Sequence, residues 1–298
     1  MEVHPEDVAA RKVGYDIELP SVKALYIEMR FDDTILSSGT AFLIARNRES
    51  HCSVITNRHN VTGRHQETGD CLSKTAAVPN HIDIYFLAPF EDLPSDWTKV
   101  SLPLYRPDGS PYWIEHPRLK EHADVVALNL NWGSDVQKFP YYIDTDLDRQ
   151  GLVIGPAEPV SVIGYPFGRA SAGKLPIWAT GFLAHELSLL TPESPTFMID
   201  CRTRQGQSGS AVIAWRVGNY RKINDKGQLQ SVVEPSPKWE FLGVYSGRIH
   251  PDSDIGKVWH VSAIAEILDA AALDAQERGE NAKHKTEGSN ATNLSPDA

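Results

Sequence analysis

An all-β protein of the barrel or sandwich kind, with one helix at its end, is what the sequence predicts, and three observations predict it. Short apolar segments of four to eight residues recur along most of the chain. They are rich in β-branched or aromatic residues and are separated by Gly, Pro, Asn or Asp. Helical spacing of apolar residues is sustained in one place, near the end. Strand and helix patterns do not alternate, which argues against a βαβ fold.

The elements follow in chain order. Val22-Lys-Ala-Leu-Tyr-Ile-Glu-Met29 alternates in part, and Gly39-Thr-Ala-Phe-Leu-Ile-Ala45 and Cys52-Ser-Val-Ile-Thr56 are short apolar runs. Residues 82–87, 125–130, 160–164, 196–200, 210–215, 241–245 and 257–261 continue the series. Residues 262–277 carry apolar side chains at helical spacing behind Ser262, a candidate N-cap. Two stretches are read as irregular loops. Residues 88–121 hold Pro89, Pro94, Pro103, Pro107, Pro111 and Pro117, and residues 217–238 are polar around the turn signal Asn224-Asp-Lys-Gly227. Residues 279–298 contain one large apolar side chain, Leu294, and are expected to form a disordered tail.

Composition excludes several classes. The chain has 298 residues, with Lys plus Arg at 29 and Asp plus Glu at 39, a net charge of −10. Such a balance argues against a nucleic-acid binder, which shows a basic footprint. No run of about 18 apolar residues exists, so no membrane span is expected. The acidic start Met1-Glu-Val-His-Pro-Glu-Asp lacks the apolar stretch of a secretory signal. Cys52, Cys71 and Cys201 are odd in number and form no C-x-x-C, so free thiols in a reducing compartment are the simplest expectation. Sequons at Asn60 and Asn290 matter only in a secreted protein, and a glycan at Asn60 would obstruct the neighbouring His59. The cytoplasm is therefore the expected location.

Three segments carry chemistry. In Arg204-Gln-Gly-Gln-Ser-Gly-Ser-Ala-Val212, Ser208 lies next to Gly209 and two residues after Gly206, ahead of an apolar strand. Such a turn can present a hydroxyl and leave backbone N–H groups free to hold an oxyanion. Read alone, it is equally a Gly/Ser-rich hairpin turn. In Cys52-Ser-Val-Ile-Thr-Asn-Arg-His59, a histidine directly follows a short buried strand. Imidazole is the usual base for a serine nucleophile. In His122-Ala-Asp-Val-Val-Ala-Leu-Asn-Leu130, Asp124 stands at the mouth of an apolar strand, where it can accept the imidazole N–H. By itself each of the last two is as readily a turn histidine or a strand-end cap. Metal ligation is not expected, because the histidine pairs lack H-E-x-x-H or cysteine partners.

Together, in the order His, Asp, Ser, these segments resemble the trypsin-like (chymotrypsin-fold) serine proteases, most closely the bacterial branch of HtrA-like and glutamyl-endopeptidase-like enzymes. Thr56-Asn-Arg-His59 is similar to the family's T-N-x-H. Ala123-Asp-Val-Val-Ala-Leu128 is similar to its D-[VIL]-A-[VL]-[LI], and Gly206-Gln-Ser-Gly-Ser210 to its G-x-S-G-[GS]. Ser38-Gly-Thr-Ala-Phe-Leu-Ile44, Val162-Ile-Gly-Tyr-Pro-Phe-Gly168 and Leu242-Gly-Val-Tyr-Ser-Gly247 resemble supporting segments. The resemblance spans about residues 22–273. It implies two six-stranded antiparallel β-barrels with a C-terminal helix. The implied division is an extension at 1–20, a first barrel with His59 and Asp124 at 21–140, a second with Ser208 plus the helix at 141–278, and the tail at 279–298. It implies Ser208 as nucleophile, His59 as base, Asp124 as its orienter, and the N–H groups of Gly206 and Ser208 as oxyanion hole, with no cofactor.

The sequence departs from the family at informative places. Residue 207 is Gln, where digestive members carry an Asp that pairs with a new N-terminus, so no such activation switch is expected. Ser210 and Ala211 replace a usual Gly and Pro. Too little chain follows the helix for the PDZ module of HtrA-like members. By position, Arg202, Thr203, Tyr245, Ser246, Gly247 and Arg248 would wall the substrate pocket. Arg202 and Arg248 would favour an acidic side chain and Asp200 a basic one, unless these charges pair with each other or face water. Glutamyl-specific relatives place a His where Tyr245 stands. The expected function is a bacterial, cytoplasmic serine endopeptidase acting on protein or peptide substrates. It should be narrow in specificity or switched on by a protein partner, with no nucleic acid or membrane involved. The alternatives are a catalytically silent protease-fold adaptor or binding module, and an esterase activity on the same triad.

Overall fold

The computed structural model describes residues 17–90, 94, 96–144, 151–224 and 226–291, the last stretch as backbone alone from 279. A short helix α1 (Leu19–Lys23) leads into β1 (Ala24–Phe31), β2 (Thr34–Ala45) and β3 (Ser53–Thr56). A one-turn helix α2 (Arg58–Thr62) follows, then β4 (His81–Leu87), β5 (Trp97–Pro103), β6 (Ile114–Glu115), β7 (Val126–Asn129) and β8 (Tyr141–Tyr142). The second half contributes β9 (Pro159–Gly164), β10 (Ile177–Leu183), β11 (Thr196–Asp200), β12 (Ala211–Ile223), β13 (Leu229–Arg248) and β14 (Ile255–His260). Helix α3 (Val261–Ala291) ends the described chain.

The second half is the expected six-stranded barrel, closed in the order β10-β11-β14-β13-β12-β9. The first half differs in detail from a second six-stranded antiparallel barrel. It is an eight-stranded sheet, β5-β4-β1-β2-β3-β7-β6, with β8 pairing parallel to β2 through Ile44–Tyr141 and Ala45–Tyr142. Tyr141 and Tyr142 thus pair with the first half rather than the second. Among the described residues, β5 and β6 do not pair to close it.

Why the apolar runs do not alternate is plain from the cores. On β2, Ala41 and Leu43 face the core of the first half, while Phe42 and Ile44 face a second core between the halves. Likewise Val54 and Ile55 on β3, and Val212 and Ile213 on β12, point into different cores. A strand buried on both faces reads as a continuous apolar run. Helix α3 closes the middle core with Ala263, Ile264, Ile267, Leu268 and Ala271, one face at helical spacing. It follows the second barrel but fastens to the first half. Arg46 reaches Asp269 at 2.6 Å, and the Asn129 amide donates to the Ala271 carbonyl at 2.7 Å.

Three further elements differ from the sequence reading. Residues 217–238 are largely the outer part of the β12–β13 hairpin, turning where Gly227 N–H meets the Asn224 carbonyl at 2.8 Å. This ribbon is polar and exposed on most of its length, so no apolar pattern marks it. The proline-rich stretch contains β5, which tolerates Pro103 because it is an edge strand. Helix α3 begins at Val261, and Nδ1 of His260 accepts the Ser262 N–H at 3.3 Å, so Ser262 lies inside the first turn. The helical backbone continues to Ala291, through the start of the expected tail. Residues 1–16 and 292–298 lie outside the described residues. No described helix is long and apolar enough to cross a membrane.

Candidate active site

Strand β3 is fully buried and stops at Asn57, and α2 turns the chain so that His59 faces the seam between the two halves. Gly63, in the left-handed region, caps that turn with its N–H on the His59 carbonyl at 3.0 Å. Asp124 sits just ahead of β7 and is 2% exposed. Its carboxylate grips His59 twice. Oδ1 accepts the backbone N–H at 2.9 Å, and Oδ2 lies 2.7 Å from Nδ1. A carboxylate only accepts, so the imidazole proton belongs on Nδ1 and Nε2 is left as the acceptor. Ser246 Oγ adds a third bond to Oδ2 at 2.5 Å, and the Asn57 amide holds the Asp124 carbonyl at 2.7 Å.

Ser208 comes from the second barrel, on the turn before β12. Its carbonyl accepts Thr40 N–H at 2.9 Å and the Asn60 amide at 3.3 Å. Gly209 follows at φ +87°, where a Cβ would lie 2.0 Å from the Thr40 carbonyl oxygen, so only glycine fits. The Ser208 hydroxyl rests 3.5 Å from the Ser246 carbonyl and makes no hydrogen bond to His59.

The backbone around Ser208 explains the oxyanion donors. The Gln205 carbonyl accepts Phe167 N–H at 2.5 Å, and the Gln207 carbonyl accepts Ser210 N–H at 3.0 Å. In a trans peptide the N–H points opposite its carbonyl. The N–H groups of Gly206 and Ser208 are therefore turned away from these anchors, and neither donates to any described protein group. Gly206, at φ +94°, packs so closely on the Tyr165 carbonyl that a Cβ would approach to 2.4 Å. Gln207 is 1% exposed, and its Oε1 accepts Arg204 N–H at 2.8 Å. That bond closes the 204–207 turn from within, where a digestive relative would use an ion pair.

Sequence reasoning does not reveal Thr40, which ties the halves together. Its N–H bonds Ser208, its carbonyl accepts Thr56 Oγ1 at 2.8 Å, and its hydroxyl donates to the Gly206 carbonyl at 2.9 Å. The same hydroxyl accepts Tyr165 N–H at 3.1 Å. The one available signal is Thr40's place in the Ser38-Gly-Thr-Ala-Phe segment. Asn60 is 5% exposed and engaged with Thr56 and Ser208, so its sequon is enclosed by the site.

The seam opens into a cleft of about 890 Å³ containing His59, Asp124, Gly206 and Ser208, with Tyr245, Ser246, Gly247 and Arg248 on one wall. Two expected wall residues are elsewhere. Arg202 points into solvent, its side chain 87% exposed and 3.8 Å from Asp254. Thr203 is fully buried beneath the wall, its hydroxyl bonded to the Tyr245 hydroxyl. Arg204, which lines the cleft, also faces Asp254 at 3.4 Å, and Asp200 lies exposed on β11, away from the cleft. Burial pushes the Tyr245 phenol up to about 12, so it stays neutral.

Comparison with known proteins gives the class. Residues 39–219 match the trypsin-like peptidase domain. The chain belongs to that peptidase family. Among solved structures it is similar to the serine endoprotease from Yersinia pestis, at 13% identity and a TM-score of 0.49, over 92% of this chain and 69% of that one. It is also similar to the Rv3671c protease of M. tuberculosis. The inactive form aligns at 18% identity and TM-score 0.40, over 91% and 97% of the two chains, and the active form at 16% and 0.40, over 90% and 87%. No curated protein matches the chain at a significant level.

Proposed function

We propose that this chain cleaves peptide bonds through a triad of Ser208, His59 and Asp124. Ser208 Oγ attacks the scissile carbonyl carbon while His59 Nε2 takes its proton. Asp124 stabilises the imidazolium that results. The carbonyl oxygen, now negative, moves between the N–H groups of Gly206 and Ser208, where each donor contributes about 3 kcal/mol to the barrier reduction. His59 returns the proton to the departing amine, and water then hydrolyses the acyl-enzyme by the same route. The observation that carries the reading is the double grip of Asp124 on His59, beside a serine flanked by two unengaged N–H groups.

The substrate backbone docks as an added strand. Pairing between β12 and β13 stops at Ala211–Val244, and the last rungs beyond it join Tyr245 to Ser210 and Gly209. From Ser246 to Arg248 that edge of β13 is open for an extended peptide. A cytoplasmic, bacterial setting suits three cysteines outside any disulfide and the enclosed Asn60. A protease free there has to be narrow in substrate or switched by a partner.

One observation favours the alternative of a silent adaptor: the Ser208 hydroxyl leans on the Ser246 carbonyl instead of His59. Labelling with a fluorophosphonate probe separates the two readings. The protease reading expects labelling of the wild type that is lost in Ser208→Ala and His59→Ala. A folded wild type that stays unlabelled, alone and in host lysate, would establish the adaptor.

A further inference from the structure

Resting on the protease reading, we infer that Tyr245 closes the primary specificity pocket and restricts cleavage to positions after small, uncharged residues. In a site of this shape the side chain preceding the scissile bond enters beside Ser208. It passes between the 203–206 segment, the 245–248 segment of β13 and the facing strand β14. The Tyr245 ring spans that space. It leaves β13 and passes over Gly256 of β14, where an added Cβ would lie 2.5 Å from Cε2 and 3.4 Å from Cδ2 and Cζ. It ends with its hydroxyl bonded to Thr203 Oγ1.

Burial supports this. Tyr245 lines the cleft, whereas Thr203 and Gly256 behind it do not. Thr203 is 0% exposed and Tyr245 2%. The ring also belongs to the core of the second barrel, packed with Cys201 and Val258, so it is a fixed floor. Beneath the ring lie Thr203 and Gly256, both uncharged, while Arg204 and Arg248 line the cleft around it. Asp200 and Arg202 are exposed outside it, and the phenol is neutral. An entering side chain therefore meets the ring of a residue whose backbone bonds Gly209 and Ser210, next to the nucleophile, which leaves room for Ala, Ser, Thr or Val.

The test is a series of peptidyl diphenyl phosphonates differing only at the residue next to phosphorus: Ala, Val, Leu, Phe, Lys and Glu. Wild type should react with the Ala and Val members on the order of 100-fold faster than with Phe, Lys or Glu. Tyr245→Phe, which keeps the ring, should preserve that ranking. Tyr245→Val and Tyr245→Ala, verified as folded by thermal melting, should raise the Phe and Leu rates relative to Ala by at least about tenfold. Equal wild-type rates for Ala and for Phe or Lys would overturn the inference. So would an unchanged ranking in a folded Tyr245→Val. Failure of the fluorophosphonate itself would count against the protease reading instead. The pocket would then be read by titrating product peptides with the same C-terminal residues, which needs no nucleophile. Tighter binding of the Ala than the Phe peptide supports the closed pocket, and the reverse refutes it.

Discussion

The hydroxyl of Thr40, on the first half, donates to the carbonyl of Gly206, on the second, at 2.9 Å. It joins the strand that carries the core of one half to the peptide that follows the oxyanion donor Gly206 in the other. Thr40→Val keeps the shape and removes the hydroxyl, leaving buried polar groups of Gly206 and Tyr165 unpaired. Stability should fall by about 1–3 kcal/mol. Turnover should fall on the order of 10- to 100-fold with KM nearly unchanged, because the lost group holds Gly206, whose N–H is an oxyanion donor. Thr40→Ser should recover most of both. Urea unfolding and steady-state kinetics measure the two effects.

Gln207 holds the same 204–207 turn from within. Its Oε1 satisfies Arg204 N–H within the turn, so correct orientation of Gly206 needs no salt bridge from a processed N-terminus. Gln207→Leu fills similar volume but orphans that N–H. The fluorophosphonate labelling rate should drop by about tenfold or more. Extending wild type ahead of Met1 with a tag should leave the rate unaltered. A labelling rate that rises only after removal of the tag would contradict this arrangement.

The thiols differ in environment. Cys201 is 2% exposed, and burial in the second barrel pushes it up to about 11, while Cys52 and Cys71 are partly exposed and none of the three is in a disulfide. In native protein at pH 8, two thiols should react with a disulfide reagent within minutes. The third should react only at the rate of unfolding. Counting equivalents with and without denaturant checks this.

His59, Asp124 and Ser208 were legible in the sequence because each sits at the end of a short apolar strand beside residues of distinctive type. What fastens them was not. Thr40 and Gly206 are 166 residues apart, and neither residue type signals the other. The pocket floor depends on Gly256, a glycine on a different strand from Tyr245, whose absent side chain makes room for the ring. Strand β10 is hidden for a similar reason. Gly181 interrupts its apolar run because the strand passes so near β11 that a Cβ would lie 2.1 Å from the Asp200 carbonyl oxygen. The outer β12–β13 ribbon buries too little on either face for a period-2 pattern to select residues there.

The loop that delivers Asp124 predicts an acid limit to stability. His116 lies at its start and is 0% exposed. Nδ1 accepts the N–H groups of Arg118 and Leu119 at 3.3 and 3.2 Å. Its Nε2 faces Glu266 of α3 at 3.7 Å, and Arg118 bonds the same carboxylate at 2.9 Å. Burial holds the imidazole below its ordinary value. Glu266 works against that, and the cations Arg118 and Lys120 add to it. The unfolded chain therefore takes up the proton first. The stability tied to neutral His116 is whole above about pH 6.5 and is lost as pH falls through the lower, folded value. Within that window each pH unit should remove at most about 1.4 kcal/mol. His116→Asn offers an acceptor to the same N–H groups without titrating. It should start lower at pH 8 yet show a flatter decline between pH 6.5 and 5 in urea unfolding. Equal slopes for wild type and variant would locate the acid sensitivity elsewhere.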